Sequence, residues 1–581
     1  MPRYAQWQRP RRVVVLAAVL ALGVAFLATY LWPRSNGGHR GGVLTIVGGT
    51  ELWFAQDTVA FDPAVLNSEW HPMLAAVLAD GLVGFRRTPA SVGSDLVPDL
   101  AIALPHAKDG GLTYTFHIRK GVRYSSGEPV LAGDIRRGIE RAVAHFDTTD
   151  AAFYAATIVG AQDCRDAARA AAESEPAQPA RDCDLRDGIR TDDRTGAVIF
   201  RLTKPAPDFL YRLALPAASA VPQDTPVDLE PGTSLPATGP YTIRSYDPAG
   251  ETSDGHPRLE LVRNPHFRVW SAAQPDGHPD RVVLETGYTA DEAIARVTDG
   301  HSDLVWFGAT LTDLDKVRTR HGSQLHTSPR AVTNMLFLNT TQPPFDNRDA
   351  RRAVAYGLDR AALTGRGDFL SGNVTCQFLP PEIAGHKDYC PFTRGESEHG
   401  KWTGPDVTTA KALVRTSGTL GAQVVVNAHD DPALRTAGKR VVVLLNRLGY
   451  RATLQLRHDY YAEDPQQDHW NAGLAFWAAE YLAASSILPG LGSCDPGELG
   501  YNPGRYCNAD IERRIAAANQ QVTADPGSAN DAWAVIDREL VDAAATIPYG
   551  NSVSHYFVSD RLGNTIIHPI AGPLIAQMWV R

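Results

Sequence analysis

Apolar and polar positions recur with a readable period along most of the chain. Leu112-Thr-Tyr-Thr-Phe-His-Ile-Arg119 alternates strictly, which predicts a strand with one wet face. Ala132–His145 places Ile135, Ile139 and Val143 on one side of a helix. Thr289-Ala-Asp-Glu292 has the form of a capping box. It predicts a helix through Val297 that stops at Gly300, and Asp303-Leu-Val-Trp-Phe307 follows as a strand. Asn347–Thr364 predicts one helix with Ala350, Val354, Leu358 and Ala361 on a face. Further on, Gln423–Asn427, Ala433–Leu448 and Arg451–Leu456 read as strand, helix, strand. Val43–Val47, Ala197–Leu202, Arg258–Arg263, Arg281–Glu285, Ala331–Asn339 and His469–Phe476 are further strands, and Trp533, Ile536, Leu540, Val541 and Ala544 form a helical stripe. Strands and helices mixed in this way predict an α/β body of at least two lobes.

The chain has 581 residues, enough for three or four domains at roughly 150 residues each. Its 44% hydrophobic and 21% charged residues are ordinary for a folded globular protein. The formal net charge of −9 argues against a broad basic face for nucleic acid.

One stretch departs from this pattern. Val13–Trp32 carries no charge, with Arg3, Arg9, Arg11 and Arg12 before it and Arg34 and Arg40 after it. Such a helix spans roughly 30 Å, the thickness of a bilayer core. The flanking charges put the N-terminus in the cytoplasm and the body outside. The stretch reads either as an uncleaved anchor or as a cleaved signal. Residues 1–12 are then cytoplasmic and residues 33–42 a flexible tether.

The six cysteines fall in near pairs: Cys164 with Cys183, Cys376 with Cys390, Cys494 with Cys507. Pairing of this kind suits disulfides in an oxidising compartment, each stapling an irregular loop. No CxxC and no HExxH occurs, so no metal site is expected. No Walker A, GxGxxG or GxSxG occurs either, so no cofactor and no catalytic residue is named.

Four segments resemble those of solute-binding proteins of the ABC-transporter peptide/nickel class, family 5, which includes oligopeptide- and dipeptide-binding proteins. The first is Asp95-Leu-Val-Pro-Asp-Leu-Ala101 with Asp109–Arg123, Ser126-Gly-Glu-Pro-Val130 and Asp134. The second is Ala237–Ile243 with Leu261-Val-Arg-Asn-Pro-His-Phe267. The third is Met335–Thr340 with Pro344–Asn347, Arg351–Val354 and Leu358-Asp-Arg360. The fourth and loosest is Gly473–Tyr481. They run in the family's order over residues 43–581.

The resemblance implies a two-lobed periplasmic-binding-protein-like fold of class II with an extra inserted domain. Lobe I would comprise residues 43–74, 203–329 and 548–581, the insert 75–202, and lobe II 330–547. The lobes would cross near Ala331–Asn339 and Ile547–Val553 and hinge there. The implied function is extracytoplasmic capture of a peptide or similar small polar solute, delivered as a monomer to ABC permease subunits. Ligand sensing without transport and a secreted hydrolase are the rivals.

By the resemblance, Glu480 aligns with an Asp that some members use for a peptide α-amino group. Here Leu482-Ala-Ala replaces the usual Pro-Asp-Pro after the Tyr. Trp477 and Tyr481 flank Glu480 and offer flat contact area with a polar tip. Trp53, Trp306 and Asn334 are further ligand-binding candidates. Arg330, Arg415 and Arg435 fall in lobe II, and the sequence does not say which would meet a ligand carboxylate.

Overall fold

The computed structural model describes residues 40–49, 61–65, 71–87, 95–174, 178, 183–230, 232–251, 255–306, 314–365, 370–397, 399–457, 470–494, 502–524 and 528–581. The apolar run 13–32, the residues either side of it up to 39, and Trp53 lie outside the described residues. Among the described residues no helix is long and apolar enough to cross a membrane.

One eleven-stranded sheet runs through the molecule. From edge to edge its order is Arg451–Arg457, Gln423–His429, Ala472–Ala478, Leu325–Leu338, Thr546–Val558, Leu304–Val305, Val43–Val47, Arg281–Glu285, Arg258–Arg263 and Tyr241–Asp247. Gly372–Val374 also pairs with Thr546–Val558. The two long strands, Leu325–Leu338 and Thr546–Val558, are antiparallel and shared by both lobes. Leu325–Pro329 pairs with Val553–Phe557 on the first-lobe side, and Thr333–Phe337 with Thr546–Asn551 on the second-lobe side. The register shifts between Pro329 and Thr333 and again between Asn334 and Met335. Such breaks interrupt the ladder and bend the strand. The sheet is therefore least regular where the chain passes from one lobe to the other.

In the second lobe, Gln423–His429 and Arg451–Arg457 pair in parallel across the helix Pro432–Leu448. That helix has firm ends. The Asp431 carboxylate accepts from Ala433 N and Leu434 N at 2.8 and 2.9 Å, Pro432 takes the first turn, and Gly449 closes it at φ 109°. Its buried stripe of Leu434, Ala437, Val441, Leu445 and Leu448 packs on the sheet. In the first lobe, Leu44 and Ile46 of Val43–Val47 point into a core with Leu259, Leu261, Val282, Leu284 and Trp306. The capping box is present: Thr289 N donates to the Glu292 carboxylate at 2.8 Å, and Glu292 N donates to Thr289 Oγ1.

A third body has its own core. Thr113–His117, Ala197–Arg201 and Ile189–Asp192 form a three-stranded sheet. Tyr114 and Phe116 are buried while His117 is exposed, as the alternation predicts. The helix Ala132–Ala144 covers the sheet with Ile135, Ile139 and Val143 fully buried. From the same helix, Arg141 reaches Asp62 through two bonds of 2.8 and 2.7 Å, with no exposed surface of its own. Arg141 also donates to the carbonyls of Pro226 and Val227. This ion pair fastens the third body to its neighbour.

Disulfides join Cys164 to Cys183, Cys376 to Cys390 and Cys494 to Cys507. Two local expectations change. The segment after Cys164 is no irregular loop, because Ala161–Ala172 is a helix. Five of its twelve residues besides the first Ala are alanine, the best helix former. The helix expected over Asn347–Thr364 is two, Arg348–Gly357 and Arg360–Leu363. Asp359 breaks it, because its side chain accepts from Ala362 N and caps the second piece.

Candidate functional site: a cavity where three bodies meet

A cavity of about 420 Å³ lies where the lobes and the third body meet. Pro329, Arg330, Ala331 and Val332 line it from the register break, and Ser554 and Tyr556 from the other long strand. Ala478, Ala479 and Glu480 come from the end of the second-lobe strand Ala472–Ala478. Thr148, Thr149 and Asp150 come from the third body, and His568, Pro569 and Ile570 from the C-terminal segment. A smaller chamber of about 100 Å³ adjoins it, sharing Pro72, Leu215, Pro216, Glu480, His568 and Ile570 and adding the apolar Val83, Phe85 and Leu482. Mostly apolar walls with a few convergent polar groups, set at a domain junction, are the usual form of a small-ligand site. Another cavity of about 360 Å³ opens beside the helix Pro432–Leu448. All its lining residues belong to the second lobe, so lobe movement does not act on it.

Behind the charged part of the wall, formed by Glu480 and Asp150, stands Arg212, which does not itself line the cavity. This residue ends the helical turn Phe209–Arg212, and only 7% of its side chain is exposed. Its Nη2 lies 2.5 Å from Glu480 Oε2, and its Nη1 lies 3.4 Å from Asp150 Oδ1. The guanidinium stacks 5.1 Å from the Phe153 ring and 5.7 Å from the Tyr481 ring. Its backbone carbonyl accepts from Tyr154 Oη at 3.0 Å. Burial raises the Glu480 carboxyl above its ordinary value, while the Arg212 charge pulls it back. Asp150 is raised for the same first reason, with the same opposing charge. His568 Nδ1 accepts from Ile570 N and Ala571 N at 3.2 and 3.0 Å. An accepting Nδ1 assigns the proton to Nε2 and leaves the ring neutral.

Residues 95–498 match the family model of bacterial extracellular solute-binding proteins, family 5 (the middle region), well over half of the chain. The chain belongs to that family. Among curated relatives, the probable deoxycholate-binding periplasmic protein YgiS of Escherichia coli (strain K12) is 26% identical over 71% of this chain and 72% of its own length. The periplasmic oligopeptide-binding protein OppA of the same strain is 23% identical over 77% of each. Among solved structures, clavulanic acid biosynthesis oligopeptide binding protein 2 superposes with a TM-score of 0.76 at 24% identity, covering 93% of this chain and 96% of that one. The unliganded open form of the murein tripeptide binding protein MppA gives 0.68 at 20% identity, covering 94% and 99%. The fold is thus the two-lobed α/β periplasmic-binding-protein fold.

Within this family-5 protein, the residues named from sequence fall in different places. Glu480 lines both the cavity and the side chamber. Tyr481 does not line the cavity. It is 1% exposed and stacks on Tyr211, ring centroids 4.9 Å apart, joining the second lobe to the turn that carries Arg212. Trp477 is half-buried against the second-lobe core, its Nε1 donating to Ser486 O at 2.8 Å. Trp306 is packed in the first-lobe core at 1% exposure. Asn334 is 1% exposed at the strand crossing, where its Nδ2 donates to Ser552 Oγ at 2.9 Å. Trp306 is thus a packing residue and Asn334 lies buried at the strand crossing, and neither lines the cavity. Trp53 lies outside the described residues. Of the three arginines, Arg330 lines the cavity, Arg435 pairs with Asp430, and Arg415 is exposed on the helix Val407–Thr416. Arg212, Asp150 and His568 were missed. None stands in a motif, and only the fold brings them to Glu480.

Proposed function

We propose that this family-5 protein captures a peptide or similar small polar solute between its lobes and hands it to ABC permease subunits, acting as a monomer and making no bond in the solute. The observation that carries this reading is the cavity walled by all three bodies, with the irregular strand crossing as part of its lining. A solute filling it would contact residues on both sides of the crossing and so favour closure. Relatives whose names specify oligopeptides support the solute class. A separate core for lobe II and one for the insert support a division into lobe I (43–74, 203–329, 548–581), insert (75–202) and lobe II (330–547), although the insert's core also takes in Ala206, Phe209, Leu213 and Val227, and Ala75, Val77 and Leu78 pack in the lobe I core. In this reading Arg330 receives a ligand carboxylate, and the apolar run 13–32 holds the body on the extracytoplasmic face of the membrane as an anchor or exports it as a signal.

The test is to incubate the full chain with a defined peptide mixture and follow both fractions by mass spectrometry and the melting temperature by calorimetry. Intact peptide retained at one per protein, with a raised melting temperature, is expected. Cleaved peptide in the free fraction would instead identify a hydrolase.

A further inference from the structure

The cavity wall poses a charge question that geometry answers. Glu480 and Asp150 are two carboxylates on one side of a mostly apolar space. Left alone, they would require a cation from the solute. Arg212 supplies it from within the chain, 2.5 Å from Glu480 and 3.4 Å from Asp150. Arg330 brings a second guanidinium to the same cavity, and His568 is neutral. Asp208 is a third carboxylate that acts on both Arg212 and Glu480.

Arg212 is also not free to step aside. Phe153 and Tyr481 hold its guanidinium, Tyr154 holds its backbone, and only 7% of the side chain is exposed. An ammonium that took Glu480 would strip this buried guanidinium of its shortest ion pair, leaving it the longer contact to Asp150 and the charge of Asp208, with little water to replace the lost partner.

We propose, resting on the solute-capture reading, that Arg212 is the permanent counter-cation of the Glu480–Asp150 wall, so that this cleft selects a solute presenting an uncharged group there, such as an N-blocked peptide, over one presenting a free ammonium. Arg212 is thereby a specificity-determining residue, and Glu480 is the second-lobe end of an ion pair that reaches across the cleft.

The probes are a library of tetrapeptides with free amino ends and the same library N-acetylated, offered together to the full chain and read by native mass spectrometry. The wild type is expected to retain acetylated over free peptides by about tenfold, since a buried charged group left without its partner is discriminated against by at least that factor. Arg212→Met, which frees Glu480, is expected to reverse the order, and Arg212→Lys, which keeps the charge, to preserve it. Equal retention of both libraries by the wild type, or preference for the free amine, overturns the inference, and that comparison needs no variant. An unchanged ratio in a folded Arg212→Met also overturns it. Retention of neither library by any of the three proteins would instead count against peptide capture itself.

Discussion

Asp537 shows how far a single side chain departs from its sequence context. It lies on the helix Asn530–Ala543 with no exposed surface, where its carboxylate accepts from Phe378 N at 3.0 Å and from Gln377 Nε2 at 3.2 Å. Burial outweighs these bonds and pushes the carboxyl up to about 6. A folded-state value above the unfolded one, roughly 3.9, means the protonated group belongs to the fold. Its contribution is fully present below the unfolded value and is lost as pH rises through about 6. Urea unfolding of the wild type between pH 3.5 and pH 7.5 should show a decline to which Asp537 contributes up to roughly 3 kcal/mol. Asp537→Asn should flatten it, and an equally steep decline in the variant would remove Asp537 as a source. Nothing in the sequence around Asp537 announces this, because the helical stripe predicts only which neighbours are apolar. Glu480 was legible through its family-like segment. Arg212 was not, because an arginine after Phe209-Leu-Tyr211 reads as an ordinary helix end.

Elements were the most legible scale where local chemistry decided them. The capping box at Thr289, the alternation of Thr113–His117 and the stripe of Ala132–Ala144 all form as read, since each depends on neighbours a few residues away. The helix Ala161–Ala172 was overlooked because its buried face, Ala161, Arg165, Ala168 and Ala171, carries no large apolar side chain, although its alanines favour the helix intrinsically. The joints between elements depend on long-range partners, and Arg141 with Asp62 is a buried example. Arg141→Met should destabilise the protein by about 3–5 kcal/mol, because it leaves a buried carboxylate without its cation. A melting temperature within a degree of wild type would show that Asp62 finds another partner. The three disulfides act between nearby positions. Reduction should lower the melting temperature, each bond contributing about 2–4 kcal/mol. An unshifted transition under reductant would mean they do not carry stability.

At the scale of the whole molecule, periodicity revealed strands but not their order. That one sheet spans both lobes follows from pairings between segments far apart, such as Val43–Val47 with Arg281–Glu285 and Leu325–Leu338 with Thr546–Val558. The family resemblance supplied the two-lobed plan, and the structure adds the register break at the crossing and the cavity beside it. If that break is the hinge, a bound solute should reduce the radius of gyration seen by small-angle scattering, and stiffening the strand pair should blunt the change. The central claim, that a solute is held intact in this cavity, is tested most directly by native mass spectrometry of the protein purified from its own host, beside Ala479→Trp, which fills the cavity from the second-lobe wall. We predict one small molecule per wild-type chain, recovered unaltered after denaturation, and none on a folded Ala479→Trp. The same molecule on both proteins would place it elsewhere and contradict the account.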